Sequence, residues 1–536
     1  MAIFSPRFLD ISRLHIRLIP LALLLFFNFQ TAQNIMSIKA PFNFVPLNDK
    51  VFYPDWANAI SQDVPFEDGE SGTITLNIKA ESPIFVRNGS LNTEKEQKEA
   101  DKEKNFSQWD NKYFIPGSSV KGMLRSVLEI LSFGKLGSYD DNKYAVRDLN
   151  NREVYMNRIT KLDKNGNKFI RCGWLQKDEN GNYTISDRGE PAKVSFSDID
   201  NMFGTNMNSF FQANGGYQPN NTAHKSAVFK YKQFQQVNAA TKVYSFAKKG
   251  KRGFEKSDKG EKGIIIFTGQ PGTRTPTMGR QKGRGKGSEF IFWEKELGIY
   301  DVCSRLIKDF KFAYFDHDKE TNQSDDWKYW KAKLDNHERI PIFFQLDPTT
   351  KQVAHFGLSY LYKLPYEYSV GDLVKTMQAP NPDALDLAEC IFGCIEDDDK
   401  KGTMLKGRIH IGHAFTTNAE CLDKKSEVLS SPKASYYPLY IRQTTAGKYE
   451  TFMDKTAKIA GRKRYPIQNG SVQTNPAPLI KGKQNKEVET QFFPLDKGTE
   501  FKCQISYHNL RKAELGALLS AITFHNTQGC FHSLGM

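Results

Sequence analysis

The sequence predicts an α+β chain whose core is interrupted by a large strand-rich insertion. Three observations predict it. Thr73 to Ala80 alternates, with Ile74, Leu76, Ile78 and Ala80 on one face, as a half-buried strand does. Phe114 to Leu131 passes from a strand end through a Pro116-Gly117 turn into a helix. Its apolar face is Val120, Met123, Leu124, Val127, Leu128 and Leu131. From about Lys135 to Gly371, short apolar runs are separated by Asn- and Gly-rich turns, at Asp163 to Asn167 and again at Asp178 to Asn182.

In chain order, Arg13 and Arg17 precede a nearly apolar run, Leu18 to Phe29, which resembles the basic and hydrophobic regions of a signal peptide. The run is short for a membrane-spanning helix. Met36 opens a stretch that resembles the start of the mature sequence in a known family, identified below from other residues, so residues 1–35 are expected to be an upstream extension, and the protein cytoplasmic. Residues 36–134 form the first part of the core. The strand at Thr73 continues through Ser82 to Val86, and a polar loop, Arg87 to Lys112, leads to the helix. Ser118 or Ser119 is expected to cap that helix. Lys121 and Arg125 lie four apart on its polar face. Removing either charge is therefore expected to spare the fold. Gly122 leaves room for a close approach to the first turn. A helix start with free amides, two hydroxyls and two cations attracts phosphate. It is not a nucleotide P-loop, because Met123 stands where the lysine of Gly-x-x-x-x-Gly-Lys-Ser/Thr belongs.

Residues 135–384 form the insertion. Lys248 to Lys286 is its most cationic stretch. Gly263 to Gly269 reads as a buried strand between two basic loops, the second carrying Arg280, Lys282, Arg284 and Lys286. Glu289 to Trp293 is an aromatic strand. Basic glycine loops beside aromatics suit an RNA backbone, with phosphate contacts from these four residues. A helix near Tyr300 to Tyr314 and strands at Pro341 to Phe344 and Ala354 to Tyr362 follow.

Residues 385–536 resume the core. Asp386 to Gly393 is a helix ending at glycine, and Gly407 to Ala414 is a strand with Ile409 and Ile411 on one face. Ser430 to Lys433 and Gly461 to Pro466 read as basic loops. Phe501, Cys503, Ile505 and Tyr507 alternate in a strand. The helix from Asn509 to Ile522 places Leu510, Ala513, Leu518, Leu519 and Ile522 inward.

Ile115 to Arg125 resembles the Ile-Pro-Gly-Ser-Ser-x-Lys-Gly-x-x-Arg signature of the RAMP superfamily, the CRISPR-associated RNA-binding proteins of type III effector complexes. A helix ending in Phe392-Gly393, then Gly407-Arg408-Ile409 and a strand, is similar to that family's pattern, as is Glu514 to Leu519. The resemblance covers roughly residues 71–131 and 385–536, in the branch with a large insertion. It implies a ferredoxin-like, RRM-type β-α-β-β-α-β core. It implies a subunit that binds CRISPR RNA, with target RNA as a further candidate partner, beside other subunits of an antiviral complex and away from membranes. Gly117, Ser118, Ser119, Lys121, Gly122 and Arg125 would then contact RNA. The family continues into a glycine-rich loop and a last strand. This chain stops at His532 to Met536, so a truncated C-terminus is expected.

Composition agrees with a polyanion partner. The 536 residues carry 75 Lys and Arg against 61 Asp and Glu, a formal charge of +14, with 12% aromatics. Mean hydropathy is −0.57, which suits a soluble protein. Seven scattered cysteines include no Cys-x-x-Cys and no zinc spacing, so neither a disulfide framework nor a metal or other cofactor is expected. No catalytic triad or carboxylate pair stands out. His410 and His413 read as solvated or packed strand residues. The resemblance also implies an alternative, an endoribonuclease acting on guide precursor or target RNA with an aspartate in the loop before the helix, for which Asp110 is the catalytic candidate, ahead of Asp101. A third reading, an exported polyanion-binding protein, rests on residues 1–35.

Overall fold

The computed structural model describes residues 42–87, 105–137, 139, 141–160, 170–212, 221, 223–235, 242–250, 253–270, 286–314, 323–395, 404–428, 434–444, 449–465, 479–480, 483–484 and 489–535. The chain divides into two units. One comprises residues 1–136, 377–450 and 458–536, and the other 137–376 with 451–457. The fold is mixed α+β, with strand-rich additions.

The first unit is built on one antiparallel sheet. Its elements are β1 (Glu70–Lys79), β2 (Gln108–Trp109), β3 (Lys112–Ile115), α1 (Gly117–Leu131), α2 (Leu387–Phe392), β4 (Ile409–Ile411), β5 (Ala414–Asn418), β6 (Glu500–Leu510) and α3 (Lys512–Thr523). β6 is central. It pairs with β1 along one side and with β4 and then β5 along the other, and β5 passes the sheet on to β3 and β2. Alternation in β1 and β6 works as the sequence predicts, since Ile74, Leu76, Ile78, Phe501, Cys503 and Ile505 face the core. Val120, Leu124, Val127 and Leu128 of α1 and Leu518 and Ala521 of α3 cover that side. α2 begins at a capping box, Asp386 with Glu389, and stops at Gly393, whose φ is 84°.

α3 departs from its expected phase. Ala513 is exposed and Leu519 is 41% exposed, while Glu514 is buried. The reason is an ion pair. Glu514 meets Arg408, whose side chain is as deeply buried, and Arg408 also donates to the carbonyls of Cys390 (2.9 Å) and Asn509. Glu514 caps α3 through the Arg511 amide at 2.9 Å and accepts from Trp56 Nε1 at 3.2 Å. The arginine of the Gly-Arg-Ile stretch and the glutamate of the Glu-Leu-Gly stretch are thus partners in the core.

The second unit holds two five-stranded antiparallel sheets. One runs 253–256, 244–249, 261–266, 288–293, 192–195; the other runs 298–302, 183–187, 171–177, 340–346, 353–357. Phe290 and Phe292 of the first pack on Phe343 of the second, with centroids 4.9 and 5.2 Å apart. The turn at Asp178 to Asn182 joins two paired strands, with Gly181 at φ 86°, while the turn at Asp163 to Asn167 lies outside the described residues.

His355 in this unit has its Nδ1 2.7 Å from the Tyr362 hydroxyl. Burial holds its pKa down to about 4, from 6.5. Between those values the unfolded chain binds a proton that the folded chain does not, so stability present above pH 6.5 should drain away as the pH falls towards 4. Thermal melting across that window should show the loss, and His355→Gln should flatten it. An unchanged slope in the variant would assign the acid sensitivity elsewhere.

Candidate nucleic-acid interface

The site is assembled where α1 begins. Pro116, with φ −55°, takes the N-cap position, and its carbonyl accepts from the amides of Ser119 (2.9 Å) and Val120 (3.3 Å). Neither serine caps the helix, contrary to the expectation above. Both lie inside the first turn, because proline's fixed φ already sets the helix entry. Gly117 is demanded by packing. A Cβ there would lie 2.2 Å from the Ile411 carbonyl oxygen and 2.8 Å from that of Gly412. Its amide donates to His413 Nδ1 at 3.0 Å. His413 therefore belongs to this turn, a role its position in a strand did not signal.

How His413 gets there follows from register. Ile411 pairs with Ile505 and Phe415 with Lys502, so four steps on one strand (415 − 411) face three on β6 (505 − 502). The extra residue is a bulge at Gly412-His413, which turns the ring out beside the helix start.

Gly122 is exposed, and a Cβ there would meet nothing within 4 Å. Lys121 is partly buried. Burial first, and Arg125 second, pull its ammonium below the usual lysine value. Arg125 is not a free cation. Its Nη1 donates to the Gly393 carbonyl at 2.9 Å and its Nε meets Glu129 at 3.0 Å. Glu129 also meets Arg462 at 2.6 Å, and Arg464 donates to Ser126 Oγ at 3.1 Å. The expectation that the fold is indifferent to Arg125 is thus corrected, because the side chain ties α1 to the end of α2. The stretch at Gly461 is corrected too. Arg462–Arg464 is a strand paired with Asn43–Val45, and Arg462 is 9% exposed.

Arg280, Lys282 and Arg284 lie outside the described residues. Lys286 is described, and it points inward rather than into solvent. It meets Glu289 at 2.6 Å and donates to Thr268, beside Lys230, which is wholly buried against the same carboxylate. A carboxylate at position 289 inside an aromatic strand needs cations, and Lys286 is three residues away. Asp110 sits in the two-residue turn between β2 and β3, with φ 47°, followed by Asn111 at 57°. That pair of left-handed residues is what a tight hairpin favours, and it accounts for Asp110 there. Asp101 lies outside the described residues. Among the described residues no cluster of His, Cys, Asp or Glu could hold a metal.

A helix start with an open glycine and an adjacent lysine lies within one continuous stretch of sequence that family comparison identifies, while the histidine on its first amide, His413, comes from outside that stretch. Residues 77–291 match the RAMP superfamily model. The RAMP match contains β3, α1 and most of the strands of the second unit's first sheet, and stops before residues 385–536, where other motifs resemble the same family. No curated protein matches the chain. Among the described residues no helix is long and apolar enough to cross a membrane.

Proposed function

We propose that this chain binds CRISPR RNA as a cytoplasmic subunit of a type III interference complex. The observation that carries the reading is the start of α1. There Lys121 and the open backbone at Gly122 stand at a helix N-terminus inside a RAMP-superfamily region. The strand order β1–β6–(β4/β5)–β3 supports a ferredoxin-like core, and the +14 charge supports a polyanionic partner. Guide and target would be held through the RNA backbone, with sequence read by pairing between the RNAs.

The direct test is to purify the native protein and sequence the nucleic acid that comes with it. Guide-length RNA carrying a common repeat-derived end is the expected result, and random cellular RNA or none is the contrary one. Variants then separate site from scaffold. Lys121→Ala should weaken RNA retention about 10- to 100-fold with an unchanged melting temperature. Gly122→Ala should stabilise α1 by about 0.5–1 kcal/mol, since nothing crowds the new methyl, while Gly122→Leu should obstruct RNA. Arg125→Ala should lower both melting temperature and binding, because its guanidinium already holds Gly393. Full RNA binding by both Lys121→Ala and Gly122→Leu would remove this turn from the interface.

A further inference from the structure

The face of the first unit's sheet turned away from α1 and α3 presents mostly exposed residues among those described, and its composition is uneven. From β1 it presents Thr73, Thr75, Asn77 and Lys79, all exposed, and from β6 Lys502, Gln504 and Ser506, also exposed. Towards β3 the character changes to aromatic. Strand pairing aligns Phe114, Phe415, Lys502 and Asn77 in one transverse row across four strands. The Phe114 and Phe415 rings lie 5.5 Å apart at 39°, and His413 is 4.9 Å from Phe114. Along β3 and β2, Lys112 is exposed and pairs with Trp109, which is 69% exposed. Glu500, the one carboxylate among these residues, stands across from Lys79.

An antiparallel sheet can leave one face in water, but that face is normally polar throughout. Here aromatic rings interrupt it, beside two lysines. The bulge at Gly412-His413 adds a third ring, at the place where Gly117 opens α1. The half-buried Phe114 and Phe415 rings and the exposed His413, with cations at their margin, match the two parts of a single-stranded nucleotide, a base with a π-face and a phosphate. The chain's formal charge of +14 adds to the case for a polyanionic occupant.

We infer that Phe114, Phe415 and His413 form a base-stacking platform that takes unpaired bases of single-stranded RNA, with Lys502 and Lys112 on its phosphates. The inference rests on the RNA-binding reading and extends it from the helix start to the sheet face. A nucleotide whose phosphate sits at α1 would have its neighbour's base over the rings, so RNA would bend from the helix onto the sheet.

The test uses the full chain and a short single-stranded RNA carrying one fluorescent purine analogue, whose emission falls when it stacks on an aromatic ring. Wild-type protein should quench it. Phe114→Ala with Phe415→Ala should lose the quench and about tenfold or more in affinity. An abasic nucleotide in place of the analogue should weaken wild-type binding and leave the double variant unaffected. Phe415→Leu and Phe114→Leu keep the surface apolar, and they guard against a folding defect, which melting would reveal. Lys121→Ala should weaken binding while RNA that does bind is still quenched. Equal affinity and quenching in the wild-type and leucine variants would overturn the platform and leave the RNA-binding reading standing. No RNA binding by wild-type protein would overturn both. Loss of a protein partner by the double variant, with RNA binding and quenching intact, would assign the face to protein contact instead.

Discussion

Arg408→Ala should destabilise the first unit by about 3–5 kcal/mol. The guanidinium is 1% exposed and Glu514 is wholly buried, so removing the arginine leaves a carboxylate in the core without its counter-charge. Glu514→Ala should cost a comparable amount by the opposite route. It strands the arginine and strips the Arg511 amide and the Trp56 indole of their acceptor. Replacing both by apolar residues, as in Arg408→Met with Glu514→Leu, should recover only part of the loss. Buried ion pairs are often replaceable, but here Arg408 also satisfies the carbonyls of Cys390 and Asn509, which no methionine can do. Chemical denaturation of the four proteins checks this. A double variant as stable as wild type would show that the arginine serves only to neutralise Glu514. A negligible loss in either single variant would mean that the pair is not buried as described.

Glu289→Ala should be the most damaging single change in the second unit, again by about 3–5 kcal/mol. One carboxylate receives Lys230, Lys286 and the Thr268 amide, and it is wholly buried. Without it, the wholly buried Lys230 must shed its proton or stay charged with no counter-ion, and Lys286 and the Thr268 amide lose their acceptor. Hydrogen exchange should then quicken in strands 261–266 and 288–293 and stay unchanged in β1 and β6. Uniform quickening over both units would refute a local role.

The same cluster sets an alkaline dependence. Loss of hydration brings Lys230 down to about 7, from 10.5, although Glu289 opposes the shift. Over that interval the unfolded chain holds the proton and the folded chain does not. Stability should therefore rise with pH between 7 and 10.5, and Lys230→Met should lack the rise.

The RNA contacts proposed at the start of α1 and the stability of the cores would thus be carried by different residues, although several belong to the same motifs. Lys121 and Gly122 contribute little to the fold, whereas Arg125, four residues on, is bonded to Gly393. A substitution scan that treated the whole stretch from Ile115 to Arg125 as one binding element would confuse the two.

The sequence alone determined what depends on neighbours in the chain. The turn at Pro116-Gly117 and the apolar face of α1 are local, as are the stop at Gly393, the hairpin turn at Asp178 to Asn182 and the alternation of β1 and β6. Each is set by dihedral preferences or side-chain periodicity within a few residues. The tertiary structure alone decided where charge goes. Glu514 looks like an exposed helical residue until Arg408, 106 positions away, makes its burial affordable by neutralising it, which turns Glu514 inward while Ala513 and Leu519 face out. Lys286 reads as part of a basic loop until Glu289 draws it inward, and Arg125 reads as a free cation until Gly393 offers a carbonyl. His413 joins the start of α1 only because a one-residue bulge shifts β5 against β6. Periodicity cannot reveal such placements, because a charge enters a core only when a distant partner offsets its lost hydration, and the register that brings the partners together is a property of the assembled sheet.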